Sequence, residues 1–201
     1  MNSRIILASL IIFFHATYGM QSSDLTLINF SPLITRDQIA ERVVSLGRKI
    51  DAIYCKDSQT PLVILTVMKG AMIFAADLIR AIQMPNTELQ FIQASSYGHN
   101  GTQAGQLTIR GVDQLTIENK HVLIVDDIFD TGVTISKIKA QILEKNPASI
   151  KSLVLLRKLG KSKVKETPDF FGFEIPDKFV IGYGLDYKEC YRGLPSIWAK
   201  D

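Results

Sequence analysis

Apolar positions along the chain follow two periods. In 37-DQIAERVVSLGRKIDAIY-54, Ile39, Val43, Leu46 and Ile50 recur every three or four residues, which predicts a helix with Thr35 or Asp37 available as its cap. Pro61 then opens 62-LVILTV-67, apolar at every position and of strand length. The next stretch, 70-GAMIFAADLIRAI-82, predicts a helix with Met72, Ala75, Ala76 and Ile79 on one face, and Pro85 lies just beyond its end. Further strands are predicted at 89–94, 121–125, 150–156 and 179–185, with a helix at 133–145 whose Ile135, Ile138 and Ile142 share one face.

Helices that alternate with strands apolar along their whole length imply an α/β fold, a mostly parallel sheet covered on both faces. No repeat, low-complexity tract or linker divides residues 20–201, so a single domain is expected there. The stretch 95-SSYGHNGTQAGQLTIRG-111 is polar and rich in Gly, Ser and Thr, and reads as a long loop of the kind that serves as a lid.

Composition changes this picture little. Hydrophobic content of 46% and charged content of 21% are ordinary for a globular chain of 201 residues. A formal charge of +3, scattered along the chain, gives no reason to expect nucleic acid. The basic cluster 157-RKLGKSKVK-165 reads as a solvated loop. Cys55 and Cys190 suggest no disulfide framework, and His15, His99 and His121 show no metal-ligand spacing. The first residues stand apart: Arg4, then the ten-residue apolar run 5-IILASLIIFF-14, then small residues, a pattern like a secretory signal. Ten residues are too few to span a bilayer. Residues 1–19 are therefore either such a signal or a mis-assigned leader before Met20.

The chemistry concentrates in 121-HVLIVDDIFDTGVTIS-136. A buried strand delivers Asp126 and Asp127, then Asp130, to its carboxyl end, where open α/β sheets bind ligands. Thr131, Gly132 and Thr134 follow at a helix N-terminus, where backbone amides and the helix dipole favour an anion. An anion cradle beside crowded carboxylates suits a molecule with both a phosphate and vicinal hydroxyls, such as a ribose 5-phosphate. The carboxylates could bind the sugar hydroxyls directly or through Mg²⁺ and its waters. As a mere cap, one aspartate would suffice; three repel one another unless something compensates them.

The segment 122-VLIVDDIFDTGVTIS-136 resembles the phosphoribosyl-diphosphate signature of the type I phosphoribosyltransferases. The stretches 68-MKG-70, 95-SSYG-98, 169-DFFGFEIPDKFVIGYGLDY-187 and 189-ECYRGLP-195 are similar, in order, to blocks of the hypoxanthine and hypoxanthine–guanine members of that family. The resemblance implies the type I phosphoribosyltransferase fold, a parallel sheet flanked by helices with a small hood built from N- and C-terminal segments. It also implies purine salvage: transfer of the 5-phosphoribosyl group from phosphoribosyl diphosphate to hypoxanthine or guanine, giving IMP or GMP and diphosphate.

Roles follow by matching residues. Asp126 and Asp127 would hold the ribose hydroxyls and a Mg²⁺ water shell; family members commonly carry Glu-Asp where this chain has Asp-Asp. Asp130 would be the general base, and a carboxylate flanked by two others should bind a proton more readily. Thr131, Gly132, Val133 and Thr134 would form the 5′-phosphate loop, with Thr134 also available as a helix cap. Lys69 and Gly70, after Met68, would serve the diphosphate in a turn that carries a non-proline cis peptide in this family. Lys158 would donate to the purine 6-oxo group, with Arg157 one position away in the register. Phe179 would stack on the base and Val180 read its edge through the backbone. Asp186 would ligate a second Mg²⁺, Arg192 would bind diphosphate oxygens, and Ser96 and Tyr97 would contact the substrate from the closing loop.

The resemblance further implies a dimer or tetramer and a cytoplasmic metabolite as substrate, with no stable membrane association, so a cytoplasmic location, with Met20 as the start or an unprocessed tail, is expected over secretion. A nucleotide-kinase reading fails because no GxxxxGK[ST] loop occurs. A non-catalytic, nucleotide-binding regulator built on the same fold would be expected to lose Asp130 or Lys158, and both are present. The preference among hypoxanthine, guanine and xanthine stays open.

Overall fold

Residues 29–57, 59–97 and 106–201 are described by a computed structural model, with the backbone alone for Ser96, Tyr97 and Gln106. The leader expected at residues 1–19 and the side-chain contacts expected of Ser96 and Tyr97 lie outside the described residues. The chain divides into two compact units: one holds residues 32–199, the other runs to Ser31 and includes Lys200–Asp201. In the latter the Asp201 amide donates to the Asn29 carbonyl at 3.0 Å. Among the described residues no helix is long and apolar enough to cross a membrane.

Six strands form the main sheet: β2 (Leu62–Met68), β3 (Thr87–Tyr97), β4 (Gln106–Arg110), β5 (His121–Phe129), β6 (Ser149–Lys158) and β7 (Phe170–Ile175). Their order is β4-β3-β2-β5-β6-β7, parallel throughout except for β4 at one edge. The N- and C-terminal segments supply a second, three-stranded sheet from β1 (Phe30–Ile34), β8 (Val180–Ile181) and β9 (Ile197–Lys200).

Side chains alternate across a strand, and here both faces are covered. Leu62, Ile64, Leu123, Val125, Leu153 and Leu155 pack into one core with α1 (Arg36–Tyr54) and α2 (Met72–Ala81). Val63, Leu65, Val67, Val122, Ile124 and Val154 pack into the other with Ile135, Ile138 and Ile142 of α3 (Val133–Leu143). That is why these strands read as continuous apolar runs.

Local signals set the boundaries. A capping box starts α1: the Gln38 amide donates to Thr35 Oγ1 at 3.3 Å and the Thr35 amide to Gln38 Oε1 at 2.9 Å. Asp51 of α1 accepts the amides of Gln83 and Met84, at 3.1 and 3.2 Å, and so anchors the exit from α2.

Four expectations need correction. The buried face of α2 is Phe74, Ala75 and Leu78, while Met72 is 48% exposed and Ala76 and Ile79 are half-buried. The helix is apolar nearly all round, so period alone could not choose its face. The polar stretch 95–111 is not one loop; β3 continues to Tyr97 and returns as β4, with Ser95 opposite Thr108. The apolar run 179–185 gives only a two-residue strand, because Gly182, Tyr183 and Gly184 all take positive φ and turn the chain away. Finally, β5 continues past Val125 to Phe129, paired with β6 beyond the acidic residues. Strands β1, β7 and β9 were not among the predicted elements.

The burial of α2 can be tested directly. Phe74→Ala should cost about 3–5 kcal/mol in denaturant unfolding, as a fully buried aromatic does, whereas Met72→Ala should stay within about 0.5 kcal/mol.

Candidate functional site

Strand β2 pairs with β3 on one side and β5 on the other, so the chain leaves β2 in one direction and returns in the other. A crevice opens at the carboxyl ends of strands flanking such a switch. The carboxyl ends here are Met68 and the acidic residues of β5.

Asp126 is only 6% exposed although it lies two-thirds of the way along β5. Its Oδ1 accepts the Asp127 amide at 2.9 Å. Burial first, and the neighbouring Asp127 charge second, push its carboxyl well above the ordinary carboxylate range. Burial raises Asp127 as well, opposed by hydrogen bonds and by the Arg192 charge. The crowding anticipated around Asp130 therefore falls on this pair. The ion-pair partners of Asp130 are lysines instead: Lys158 Nζ at 3.5 Å and Lys161 Nζ at 3.9 Å.

Helix α3 begins without a side-chain cap. Its N-cap is Gly132, at φ 80°, and Thr134 lies inside the first turn, so Thr134 is not the cap that the sequence offered. A Cβ on Gly132 would come within 2.5 Å of the Phe129 ring and Val164. With no side chain capping them, the first-turn amides of Val133, Thr134 and Ile135 have no intrahelical acceptor and remain donors for an anion.

The turn after β2 sits directly against the acidic strand. A Cβ on Gly70 would lie 1.9 Å from Asp127 Oδ2, and one on Gly184 would lie 2.1 Å from the Gly70 carbonyl oxygen. The Met68–Lys69 peptide is cis, as the resemblance implied. Lys69 Nζ is paired with Glu189 Oε2 at 3.0 Å. Arg192 donates Nη1 to the Gly184 carbonyl at 2.8 Å and Nη2 to Asp186 Oδ1 at 2.7 Å and Glu189 Oε2 at 3.2 Å.

On the other flank, Lys158 ends β6 with its side chain 10% exposed and its Nζ 3.3 Å from Asp177 Oδ1. Arg157, its neighbour, is held by Glu174 and lies over the Phe171 ring at 4.1 Å. Strand alternation thus separates the two and leaves Lys158 beside Asp130. Phe179 is 45% exposed and meets the Tyr187 ring edge-on at 5.8 Å; Val180 is buried in β8 opposite Ala199.

A cavity of about 310 Å³ gathers most of these groups. Lys69, Gly70, Asp126, Asp127 and Asp130 line it, with Thr131, Gly132, Thr134, Asp186 and Arg192. Lys158 adjoins it through Asp130, whereas Val133, Phe179 and Val180 are not in its wall. Three polar partners escaped the sequence reading: Glu189, Asp177 and Lys161. The first two lie in the quoted blocks 189–195 and 169–187, and only their contacts reveal a role. Among the described residues no three His, Cys, Asp or Glu side chains gather as a ready metal cage.

The chain is similar to known proteins along most of its length. The phosphoribosyl transferase domain matches residues 36–188. A hypoxanthine-guanine phosphoribosyltransferase of Dictyostelium discoideum is 42% identical over 82% of this chain and 92% of its own. A hypoxanthine phosphoribosyltransferase of Escherichia coli is 40% identical over 82% and 92%. The crystal structure of a hypoxanthine phosphoribosyltransferase from Staphylococcus aureus superposes with a TM-score of 0.79 at 34% identity, covering 90% of this chain and 97% of that one. The chain belongs to the phosphoribosyltransferase family.

In this phosphoribosyltransferase, the buried acid pair weakens the fold. Asp126 keeps its proton in the native state at pH values where the unfolded chain has released it. Stability therefore falls as pH rises from about 4 through the raised native value. Asp126→Asn should accordingly unfold at a higher temperature than the native protein at pH 7. The gap should close towards pH 4, which thermal unfolding at the two pH values measures.

Proposed function

We propose that the chain salvages purines, transferring the 5-phosphoribosyl group from phosphoribosyl diphosphate to hypoxanthine, and to guanine, with release of diphosphate. The observation that carries this is the sequence of charges along one cavity. Unpaired helix amides stand at one end, an acid pair in the middle, and Lys69 with Arg192 at the other. A pentose with a phosphate at C5, hydroxyls between and a diphosphate at C1 matches that order group by group.

The chemistry follows from the neighbours. A ring nitrogen of the purine attacks C1 of the ribose while the C1–oxygen bond to diphosphate breaks. Positive charge grows on the ring as negative charge leaves, so oriented groups at both ends lower the barrier. Asp127 and the buried Asp126 would accept the ribose hydroxyls. Lys69 and Arg192 would neutralise the departing diphosphate, Arg192 with a planar fork suited to it.

Asp130 would take the proton that the purine gives up. Its Oδ1 is buried without a hydrogen-bond donor, a lone pair available to an incoming N–H. Lys158, 3.5 Å from Asp130, would donate to the 6-oxo group, and the exposed ring of Phe179 offers a stacking surface. The retention of Asp130 and Lys158 side by side favours an enzyme over a nucleotide-binding regulator.

Magnesium fits this site in one way. With no three-carboxylate cage among the described residues, Asp127 and Asp186 could contribute one or two oxygens to ions otherwise coordinated by substrate oxygens and water. When bound, the metal would supply positive charge beside the diphosphate.

Formation of IMP from hypoxanthine and phosphoribosyl diphosphate tests the reading; no product with magnesium present would end it. Asp130→Asn should lower kcat by about 10²–10⁴-fold, the usual worth of a positioned base. Lys158→Ala should raise the KM for hypoxanthine while leaving that for phosphoribosyl diphosphate nearly unchanged; equal losses would make it a structural lysine. Gly70→Ala, whose methyl would overlap the Asp127 carboxylate, should lose phosphoribosyl diphosphate binding in titration calorimetry while remaining folded.

A further inference from the structure

Lys69 and Arg192, the two cations assigned to the diphosphate, are already joined by one carboxylate. Glu189 Oε2 lies 3.0 Å from Lys69 Nζ and 3.2 Å from Arg192 Nη2. We propose that Glu189 is a positioning residue that stands in for the leaving diphosphate, holding Lys69 and Arg192 together until the ligand displaces it. This rests on the functional reading above.

Two features place that carboxylate. Lys188, Glu189 and Tyr191 all take left-handed backbone conformations, with φ of 52°, 65° and 71°, which side chains with a Cβ rarely adopt. Such outliers persist only where surrounding structure requires them, and they cluster at ligand sites. The Glu189 amide donates to Asp186 Oδ2 at 2.9 Å, and Asp186 in turn accepts from Arg192, so the turn and the guanidinium are tied to one carboxylate. Arg192 Nε is buried and makes no hydrogen bond, leaving the guanidinium a further donor.

The link is built to be exchanged. Glu189 is 66% exposed and does not line the cavity, whereas both of its partners do. Lys69 and Arg192 hold its carboxyl below the ordinary range, Lys69 foremost, so it stays charged whenever the site is empty. Exposed pairs of this kind are weak. A diphosphate, bearing several charges, outcompetes a single carboxylate for the same two cations. Glu189 therefore keeps them oriented in the empty enzyme and takes them back when product leaves.

Glu189→Gln removes the competitor and preserves the shape. Calorimetric titration with inorganic diphosphate and magnesium should show binding about three- to tenfold tighter than to the native protein, the worth of two exposed pairs. The KM for phosphoribosyl diphosphate should fall by a similar factor while that for hypoxanthine stays put, a split that a purely structural role would not produce. Equal or weaker diphosphate binding by the variant, with normal binding by the native protein, would overturn this inference alone. Failure of the native protein to bind diphosphate would overturn the functional reading and this inference with it.

Discussion

No side chain fits between the turn after β2 and the carboxylate of Asp127. A Cβ on Gly70 would come within 1.9 Å of Asp127 Oδ2, and one on Gly184 within 2.1 Å of the Gly70 carbonyl. Three segments distant in sequence are thus stacked side chain on backbone on backbone, with the Gly70 turn in the middle and glycine at both contacts. Each segment carries its own chemistry: Lys69 on the first, the acid pair on the second, Asp186 and Arg192 on the third. The width of the cavity is set by these contacts, because interiors packed to this density do not deform gradually.

That geometry imposes an electrostatic imbalance which a ligand can relieve. Asp126 is buried beside Asp127, and both bind protons more readily than free carboxylates. The cations nearby are committed to other partners: Lys69 to Glu189, Arg192 to Asp186 and Glu189, Lys158 and Lys161 to Asp177. Under the proposed function, a sugar with hydroxyl donors in the middle and anions at both ends would supply what each group lacks. Stability given up at the acid pair would then be recovered as binding, the usual relation between a strained site and its substrate.

Much of this was legible in the sequence, and the failures have particular causes. Strands buried on both faces announce themselves as apolar runs, so β2 and β6 were found to within two residues at each end, whereas β5 was ended early at its acidic residues. The helix α1 was found through one clear stripe and a cap at Thr35 or Asp37, of which Thr35 is the one used. α2 misled because Met72, Ala76 and Ile79 are as apolar as the Phe74 face that is buried; only packing against the sheet chooses between them. The run 179–185 looked like a strand because period-two reasoning is blind to φ, and Gly182 to Gly184 all turn left-handed. Most residues of the anion cradle and acid pair were readable because their chemistry lies within one short segment. Glu189, Asp177 and Lys161 were not, since only the folded chain brings Glu189 to Lys69, Asp177 to Lys158 and Lys161 to Asp130.

The segment following β7 shows why these distant partners matter. Phe179 and Val180, on the side proposed to hold the base, lead within a few residues through the left-handed Gly182–Gly184 turn to Asp186, and then to Glu189 and Arg192 on the side proposed to hold the diphosphate. The turn is pinned at both ends. The Tyr183 amide donates to the Leu194 carbonyl at 2.8 Å and the Gly184 amide to the Arg192 carbonyl at 2.9 Å, while the Arg192 guanidinium returns to the Gly184 carbonyl. One short, cross-braced piece of backbone therefore joins Phe179 and Val180 to Arg192, and under the proposed roles it would fix the distance between the base arriving at C1 and the diphosphate departing. In a displacement where rate depends on holding both within reach of a single carbon, that spacing must be set by a rigid element and not by a mobile one.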